Sequence, residues 1–464
     1  MSLPMPRLSD VAARLGTSLY GADASFARVI SDTRQLQAGD LFVALVGERF
    51  DGHDYLAEAA RLGAVGAIVS KLVDAPIAQI VVADTLAGLQ DYARSWRGDF
   101  AGAVVGITGS NGKTTTKQLV AAVLAARGSV LATEGNLNNH IGVPLTLARL
   151  RDQASAVIEM GANHPGEIAA LAAIARPRIG VVTQAGDAHL EGFGSRAGVA
   201  RAKGEMFESL GEGGIAIINA DDAYAGLWSQ LAGAARPIRF GLSPQADVRA
   251  DDIAQHEFDD GRSGMRFMLS TPDGRAPVLM PLPGRHNVLN ALAAAACGHA
   301  LGLSPQQIAD GIAQVQPPKG RVGYKLTAGG ARVIDDSYNA NPTSLAAGLQ
   351  LLAAMPGQRW AVLGGMGELG PQSDALHAEA GRLAQALGLD RLYAVGPMAA
   401  HYASGYGGQA RIYSTHEALA QALLADLAGV ADAQALALLV KGSRAARMET
   451  IVQALVGGAD GGMH

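Results

Sequence analysis

A glycine-rich motif directly follows the apolar run Ala103-Val104-Val105, and it reads Gly106-Ile107-Thr108-Gly109-Ser110-Asn111-Gly112-Lys113-Thr114-Thr115-Thr116. Residues 118–126 then form a helix-forming pattern, so a buried strand, a glycine turn and a helix stand in the order of a phosphate-binding loop. Glycines let the main chain approach phosphates, while N–H groups and the helix N-terminus supply positive potential. Because Lys113 would reach the outer phosphates and Thr114 would ligate magnesium, the motif predicts a site for a nucleoside triphosphate.

The spacing of the glycines limits which classes of nucleotide-binding protein the motif indicates. The common P-loop places glycine five residues before the Gly-Lys pair, but that position is Ile107 here, and the glycines stand at 106, 109 and 112. This spacing disfavours kinase and GTPase functions. The alternative is a strand-to-helix turn without a ligand, which the lysine, the threonines and the flanking elements disfavour. The predicted nucleotide contacts in the motif are Gly109, Ser110, Asn111, Gly112, Lys113, Thr114 and Thr115.

The composition is that of a globular, water-soluble protein. The 464 residues suggest about three domains, 49% of residues are apolar and 17% are charged, and the net charge of -5 offers no electrostatic basis for nucleic-acid binding. The single cysteine, Cys297, excludes an internal disulfide and lies in an alanine-rich helical pattern that predicts buried packing. We find neither a signal-peptide core nor eighteen uninterrupted apolar residues, which predicts a cytoplasmic protein.

The alternation of strand and helix patterns predicts an α/β protein of three domains. We expect a small α/β N-terminal domain (1–83), a central P-loop ATPase domain with a mainly parallel sheet (84–318) and a C-terminal Rossmann-like domain (319–464), with a linker at 316–320. Turn patterns within 246–282 predict antiparallel hairpins in the central domain. The predicted strands are 29–30, 41–46, 67–69, 80–82, 104–108, 156–159, 179–183, 215–218, 333–336, 360–363, 392–395 and 437–440.

Several polar side chains follow predicted strands, where ligands of open α/β sheets bind. Glu159 ends the strand 156–159 and would hold magnesium, or else would cap a helix or form a surface ion pair. His189 follows the next strand, and a lone histidine is more often structural. Lys203 lies in a helical pattern, where a solvated lysine is the default interpretation. In the third domain, the loops 335–342 and 364–370 should face the same nucleotide, which suggests domain closure.

The first domain carries a possible site for an anionic, sugar-like ligand. The segments Ser31-Asp32-Thr33-Arg34 and Phe50-Asp51-Gly52 offer hydroxyls, an arginine and loop glycines. Such residues equally serve as turn and capping residues, and their spacing does not separate the two roles.

Taken together, these motifs resemble the ATP-dependent Mur peptide ligases of bacterial cell-wall synthesis over almost the whole chain. The matching segments are Ser31–Arg34, Gly106–Thr116, Gly135–Asn139, Glu159–Ala162, His189–Gly194, Ala202–Glu205, Gly284–Asn290, Asp336–Pro342 and Lys441–Arg444. The Tyr338-Asn339-Ala340-Asn341-Pro342 and Gly364–Gly370 loops resemble the branch that adds D-alanyl-D-alanine. The Asp-Asn-Pro-Arg motif of the diaminopimelate-adding relatives does not occur in the sequence.

The resemblance implies roles that the spacing leaves open. Two magnesium ions would be held by Thr114, Glu159, His189 and a carbamylated Lys203, with Lys113 as a further catalytic residue. Asn290 would contact adenine, Arg321 a phosphate and Asp336 the ribose of ATP. The implied contacts of the uridine nucleotide are Ser31, Arg34, Phe50, Asp51 and Gly52, and Asn138 and Asn139 would lie nearer the sugar and peptide. The implied contacts of the dipeptide are Tyr338, Asn339, Asn341 and Glu368.

The resemblance also implies the reaction. A monomer would join D-alanyl-D-alanine to UDP-N-acetylmuramoyl-tripeptide through an acyl phosphate, releasing ADP and phosphate, without a nucleic-acid or membrane partner. Two other functions stay open at this point. One is another amide ligase of the superfamily, such as a folylpolyglutamate synthase, and the other is a non-catalytic nucleotide-binding protein with the same fold.

Overall fold

The computed structural model describes residues 3–259, 263–316, 320–321, 323–407 and 410–457. Three α/β units follow one another, each built on its own sheet, which confirms the predicted three-domain α/β class. Part of the predicted hairpin turn at 259–261 and the linker residues 317–319 lie outside the described residues, as do the predicted limits at 1, 318, 319 and 464. The domain boundaries therefore stay a prediction.

The N-terminal unit has a five-stranded sheet in the order β1-β7-β6-β3-β2, in which only β1 runs antiparallel to its neighbour. The predicted strand at 41–46 is two strands, since β3 belongs to this sheet and β4 pairs with β5 in a separate hairpin. The elements are α1 (Leu8–Arg14), β1 (Leu19–Tyr20), β2 (Val29–Ile30), β3 (Leu41–Val43), β4 (Val46–Gly47), β5 (Phe50–Asp51), α2 (Leu56–Arg61), β6 (Gly66–Val69), β7 (Ala78–Val81) and α3 (Thr85–Gly98).

The central unit has a nine-stranded sheet in the order β16-β15-β14-β13-β12-β11-β8-β10-β9. Its strands are β8 (Ala103–Thr108), β9 (Val130–Ala132), β10 (Ser155–Glu159), β11 (Ile179–Val182), β12 (Ile215–Asn219), β13 (Arg236–Gly241), β14 (Val248–Glu257), β15 (Ser263–Thr271) and β16 (Gly274–Met280). Its helices are α4 (Lys113–Leu124), α5 (Gly142–Leu147), α6 (Glu167–Ala175), α7 (Leu190–Phe193), α8 (Arg196–Glu208), α9 (Ala225–Leu231), α10 (Arg285–Ala300) and α11 (Pro305–Ala313). Strands β8 to β13 are parallel to their neighbours, and β14 to β16 form the predicted antiparallel hairpins.

Apolar side chains cover both faces of the central sheet. Along β8, Val104 packs into the core on one face while Val105 and Ile107 pack into the core on the other. Side chains of a strand alternate between faces, so an uninterrupted apolar run fits a strand that is covered by helices on both sides. The glycine-rich motif begins within β8 and continues past its end, and β8 lies between β10 and β11, so the loop opens in the interior of the sheet and away from its edges.

The C-terminal unit has a six-stranded sheet in the order β17-β18-β22-β19-β20-β21, parallel except for β17. Its elements are β17 (Gly323–Leu326), β18 (Arg332–Asp336), α12 (Pro342–Ala353), β19 (Gln358–Leu363), α13 (Ser373–Ala386), β20 (Arg391–Val395), α14 (Ala399–Tyr406), β21 (Arg411–Tyr413), α15 (His416–Ala428), β22 (Leu436–Lys441) and α16 (Glu449–Val456). Separate cores cover its two faces, as in a doubly wound sheet.

Candidate active site

The loop after β8 needs glycine at two positions. Gly109 has a φ of 140° and Gly112 a φ of 78°, a region that favours glycine. A Cβ on Gly109 would lie 1.9 Å from Thr183 Oγ1, and one on Gly112 would lie 2.3 Å from Asn290 Oδ1. The loop is therefore packed tightly against its neighbours. Helix α4 begins at Lys113, earlier than the sequence pattern indicated, so its first N–H groups belong to the loop.

Lys113 folds back over this loop. Its Nζ donates hydrogen bonds to the carbonyl oxygens of Gly109 at 2.6 Å and Ser110 at 3.3 Å. Burial lowers the pKa of Lys113 to about 8, while the charge of Glu159 opposes this shift. A phosphate group in the loop would supply a negative charge beside this partly buried ammonium.

Glu159 is buried at the carboxyl end of β10, so the surface ion pair considered from the sequence is wrong. Its Oε1 accepts hydrogen bonds from Thr114 Oγ1 at 3.2 Å and Asn138 Nδ2 at 2.9 Å. Its Oε2 has no hydrogen bond within the described residues, and Lys117 Nζ forms an ion pair with it at 3.5 Å. The predicted sugar contact Asn138 and the predicted metal contact Thr114 thus meet at one carboxylate.

Lys203 is also buried, so the prediction that it is a solvated helix lysine is wrong. The side chain is 1% exposed, its Nζ donates to the carbonyl oxygen of Ala162 at 3.0 Å, and it lies 5.0 Å from the ring centroid of Phe193. Burial, with repulsion from Lys113, lowers the pKa of Lys203 to about 7. A substantial part of this side chain is therefore a free amine at neutral pH.

His189 Nδ1 and Glu368 Oε2 are in contact, which joins the central and C-terminal units. The two residues have positive φ angles of 55° and 60°, which non-glycine residues rarely adopt. The pKa of Glu368 is lowered by its contact with His189. Backbone outliers held in place by surrounding structure are often found at functional sites.

Two further contacts hold the predicted nucleotide and dipeptide residues together. Asn341 Nδ2 donates to Asn111 Oδ1 at 2.7 Å, which joins the C-terminal unit to the glycine-rich loop. Asp336 pairs at 2.5 Å with the buried Nζ of Lys441, which also donates to the carbonyl oxygen of Asn339 at 2.9 Å. The end of β18 and the loop after it are therefore anchored from β22.

A cavity of about 690 Å³ lies between the two units. The predicted residues that line it are Ser110, Asn111, Gly112, Lys113, Thr115, His189, Asn290, Arg321, Asp336, Asn339, Asn341 and Glu368. The residues predicted to contact uridine belong to the N-terminal unit and do not line this cavity. Arg34 is exposed and pairs with Asp32, and Asn139 Oδ1 accepts backbone N–H groups at the start of α5.

Sequence reasoning missed Lys117 and Lys441 as site residues. Lys117 stands four residues after Lys113, which places both on one side of a helix, so its position was readable from the spacing. Lys441 was part of a matching segment without a role, and only its register beside Asp336 in the sheet reveals the ion pair.

The fold and the site define a P-loop nucleotide-binding protein in which a second doubly wound unit closes over the phosphate-binding loop. Three family models match the chain: the Mur ligase family catalytic domain over residues 25–94, the Mur ligase middle domain over 107–298 and the Mur ligase glutamate ligase domain over 320–455. The chain belongs to the Mur ligase family.

Individual relatives are similar over nearly the whole chain. The UDP-N-acetylmuramoyl-tripeptide--D-alanyl-D-alanine ligase of Escherichia coli is 44% identical over 98% of both chains. A crystal structure of MurF from Acinetobacter baumannii has a TM-score of 0.90 at 35% identity, covering 98% of this chain and 99% of the other. MurF ligase from Thermotoga maritima in complex with ADP has a TM-score of 0.80 at 30% identity, covering 92% and 96%.

Within the part of the chain that the structure describes, no helix is both long and apolar enough to cross a membrane. The predicted cytoplasmic location and monomeric state stay predictions.

Proposed function

We propose that this chain is an ATP-dependent ligase that joins D-alanyl-D-alanine to UDP-N-acetylmuramoyl-tripeptide. One observation carries the proposal: in a chain 44% identical to a ligase of that name, Lys113, His189 and Glu368 line the same cavity between two units. A non-catalytic protein would not need a buried carboxylate and two buried amines around the phosphate-binding loop.

The chemistry requires activation of a carboxylate, which is a poor electrophile. The carboxylate of the tripeptide attacks the γ-phosphorus of ATP, ADP leaves, and an acyl phosphate forms. The amine of D-alanyl-D-alanine then attacks the acyl carbon, and the tetrahedral intermediate expels phosphate as the amide forms and the amine loses a proton. Lys113 offsets negative charge on the phosphoryl group, and the loop N–H groups orient it.

The substrate contacts are proposed from the positions of the predicted residues. Asn290 would contact adenine, Asp336 the ribose and Arg321 a phosphate, and Asp336 and Arg321 reach the cavity from the C-terminal unit. Tyr338, Asn339, Asn341 and Glu368 would present the dipeptide. The uridine nucleotide would bind to Ser31, Arg34 and the Phe50–Gly52 loop, with Asn138 and Asn139 nearer the peptide.

The residues at Glu159 fit a magnesium site. Glu159 Oε2 is buried without a hydrogen bond among the described residues, its ion pair with Lys117 is long at 3.5 Å, and the hydroxyl of Thr114 is in contact with the same carboxylate. Oxygen ligands of this kind are those that magnesium prefers. Within the described ranges, no group of three His, Cys, Asp or Glu side chains is arranged to hold a metal. Those side chains alone would therefore not complete the site. The proposed site combines Thr114, Glu159 and His189 with substrate phosphates and a modified Lys203. Bound magnesium, proposed as two ions, would neutralise charge during phosphoryl transfer.

The surroundings of Lys203 support carbamylation. A carbamate forms when the free amine attacks carbon dioxide and loses a proton, and the lowered pKa of about 7 supplies that free amine. The product is an anion, which turns a side chain that repels a cation into one that binds it. Lys203 lies near enough to Lys113 for their charges to interact, so the modification would also relieve this repulsion.

Phosphate release from ATP, measured with each substrate omitted in turn, tests the proposed function. We expect sustained release only with the nucleotide-linked tripeptide and D-alanyl-D-alanine present together, and a product whose mass equals the sum of the two less water. Turnover with a pteroylglutamate and glutamate would instead identify a folylpolyglutamate-type ligase. Nucleotide binding without turnover under any of these conditions would leave only the binding function.

A further inference from the structure

A second cavity, of about 360 Å³, lies beside the phosphate-binding loop. Helix α4 contributes Lys117, the loop after β9 contributes Asn136, and the C-terminal unit contributes Arg321, Tyr338 and Arg444. Its charged lining residues are all cationic. A concave surface of this charge, formed by two units that close on each other, fits an anion delivered by a substrate.

The ammonium of Lys117 is the deepest of these cations. Its side chain is 5% exposed, and its one ion pair, to Glu159 Oε2, is 3.5 Å long. An ammonium can donate three hydrogen bonds, and within the residues that the structure describes the partner found for Lys117 Nζ is this long ion pair, so donors remain for a ligand in the cavity that Lys117 lines. A buried charge without hydrogen bonds is costly unless a ligand supplies the missing acceptors.

The two arginines are held on one aromatic ring. The guanidinium carbons of Arg321 and Arg444 lie 4.4 Å and 6.0 Å from the ring centroid of Tyr338. Cation–π contacts orient a guanidinium through its face and leave the N–H groups at its edge free to bind. Arg444 also pairs with Glu449 at 3.1 Å, which fixes one side of its guanidinium. Arginine edges oriented in this way suit a planar, bidentate anion.

We propose that this second cavity binds a carboxylate of the peptide substrates, with Lys117 as its central contact and Arg321 and Arg444 at its rim. The inference rests on the proposed function and assigns it a specificity site that adjoins the nucleotide cavity, because Arg321 and Arg444 line both cavities. Both peptide substrates carry a carboxylate that fits, namely the reacting carboxylate of the nucleotide-linked tripeptide and the terminal carboxylate of the dipeptide. A planar carboxylate would accept from Lys117 and from an arginine edge at once.

The test compares Lys117→Met, which keeps the length of the side chain and removes its charge, with Lys117→Arg, which restores a cation. Arg94→Met serves as the matched control, because it removes one exposed positive charge from α3, where Arg94 pairs with its neighbour Asp91. The KM of each of the three substrates and kcat are measured for every variant. We expect Lys117→Met to raise the KM of one peptide substrate roughly 10- to 100-fold, the range for one charge-assisted hydrogen bond. Lys117→Arg should recover part of this loss, and the control should match the wild type.

A C-terminal amide of the dipeptide distinguishes the two carboxylates. If the dipeptide carboxylate binds here, the wild type should discriminate strongly between acid and amide, and Lys117→Met should handle both alike. If the tripeptide carboxylate binds here, Lys117→Met should raise the KM of the nucleotide-linked peptide. The ratio of the KM values for the dipeptide amide and the dipeptide acid should then be the same in the wild type and in Lys117→Met. Should Lys117→Met fail to fold, Arg444→Gln provides the same comparison from the exposed rim.

Two outcomes would overturn the proposal. An increase confined to the KM of ATP would identify Lys117 as a phosphate contact. A lower kcat with both peptide KM values unchanged would show that Lys117 only neutralises Glu159. Failure of the proposed function is distinguished beforehand, since the wild type would then release no phosphate with both peptides present.

Discussion

Lys203→Ala is expected to lower turnover by roughly 10² or more, the usual effect of removing one fixed electrostatic group from such a site. The structure indicates why this lysine would act as a carbamate. Only the free amine reacts with carbon dioxide. Lowering the pKa from 10.5 to about 7 raises the free fraction at pH 7 from about 1 in 3,000 to about one half. Burial thus increases the concentration of the reactive form roughly 10³-fold.

The lowered pKa of Lys203 also determines how carbamate formation depends on pH. Below pH 7 the amine becomes protonated, so at pH 6 only about one tenth remains reactive, while at pH 8 about nine tenths is reactive. At a fixed concentration of dissolved carbon dioxide, the carbamate content should therefore fall as the pH falls from 8 to 6. The ¹³C NMR signal of protein incubated with ¹³C-labelled bicarbonate measures this content directly, without reference to activity.

Lys203→Ala should lack the carbamate signal, and short carboxylic acids should restore part of its turnover by occupying the vacated space with an anion. Lys325→Ala is the matched control, because Lys325 is half exposed and pairs with the buried Asp335 in the C-terminal unit, so its loss should leave the signal intact. The reasoning is refuted if the wild type shows no carbamate at pH 8 and Lys203→Ala keeps near-normal turnover.

Three other substitutions test the loop and its contacts. Lys113→Ala should reduce kcat by roughly 10² or more, measured by phosphate release, because it removes charge stabilisation in the transition state. Gly112→Ala should weaken nucleotide binding by about tenfold or more in a calorimetric titration, because its Cβ would lie 2.3 Å from Asn290 Oδ1 at a φ of 78°. Asn341→Ala should lower the free energy of unfolding by about 1 kcal/mol, because Asn341 caps α12, whereas Asn341→Ser should keep the cap and lose only the hydrogen bond donated to Asn111.

Each of these three predictions would be contradicted by a specific result. Near-normal turnover of Lys113→Ala would mean that the loop does not bind the transferred phosphate. For the glycine, the control is Gly388→Ala, which has a φ of 66° but open space around its Cβ, so equal effects of the two substitutions on nucleotide binding would argue against the predicted clash. Equal destabilisation by Asn341→Ala and Asn341→Ser, measured by denaturant unfolding, would show that capping is not the main contribution of Asn341.

The sequence predicted most of the fully buried strands of the central and C-terminal sheets, because a strand buried on both faces is apolar along its length. Runs such as Val104-Val105 are apolar without interruption, and the turn and helix signals beside them are equally local. The short or polar strands β1, β5, β9, β13, β17 and β21 were missed. β13 begins Arg236-Pro237, so it lacks an apolar run, and its place in the sheet depends on its neighbours β12 and β14.

For the site, the sequence by itself determined the phosphate-binding loop, since strand, glycine turn, lysine and helix are contiguous and need only local geometry. Tertiary structure alone decided the electrostatic states of the other groups. Lys203 and Lys117 look like ordinary helix lysines in the sequence, and their burial comes from elements far along the chain. The Asn341–Asn111 bond joins residues 230 positions apart. Desolvation and pairing across units depend on which surfaces meet, and no short window of sequence contains that information.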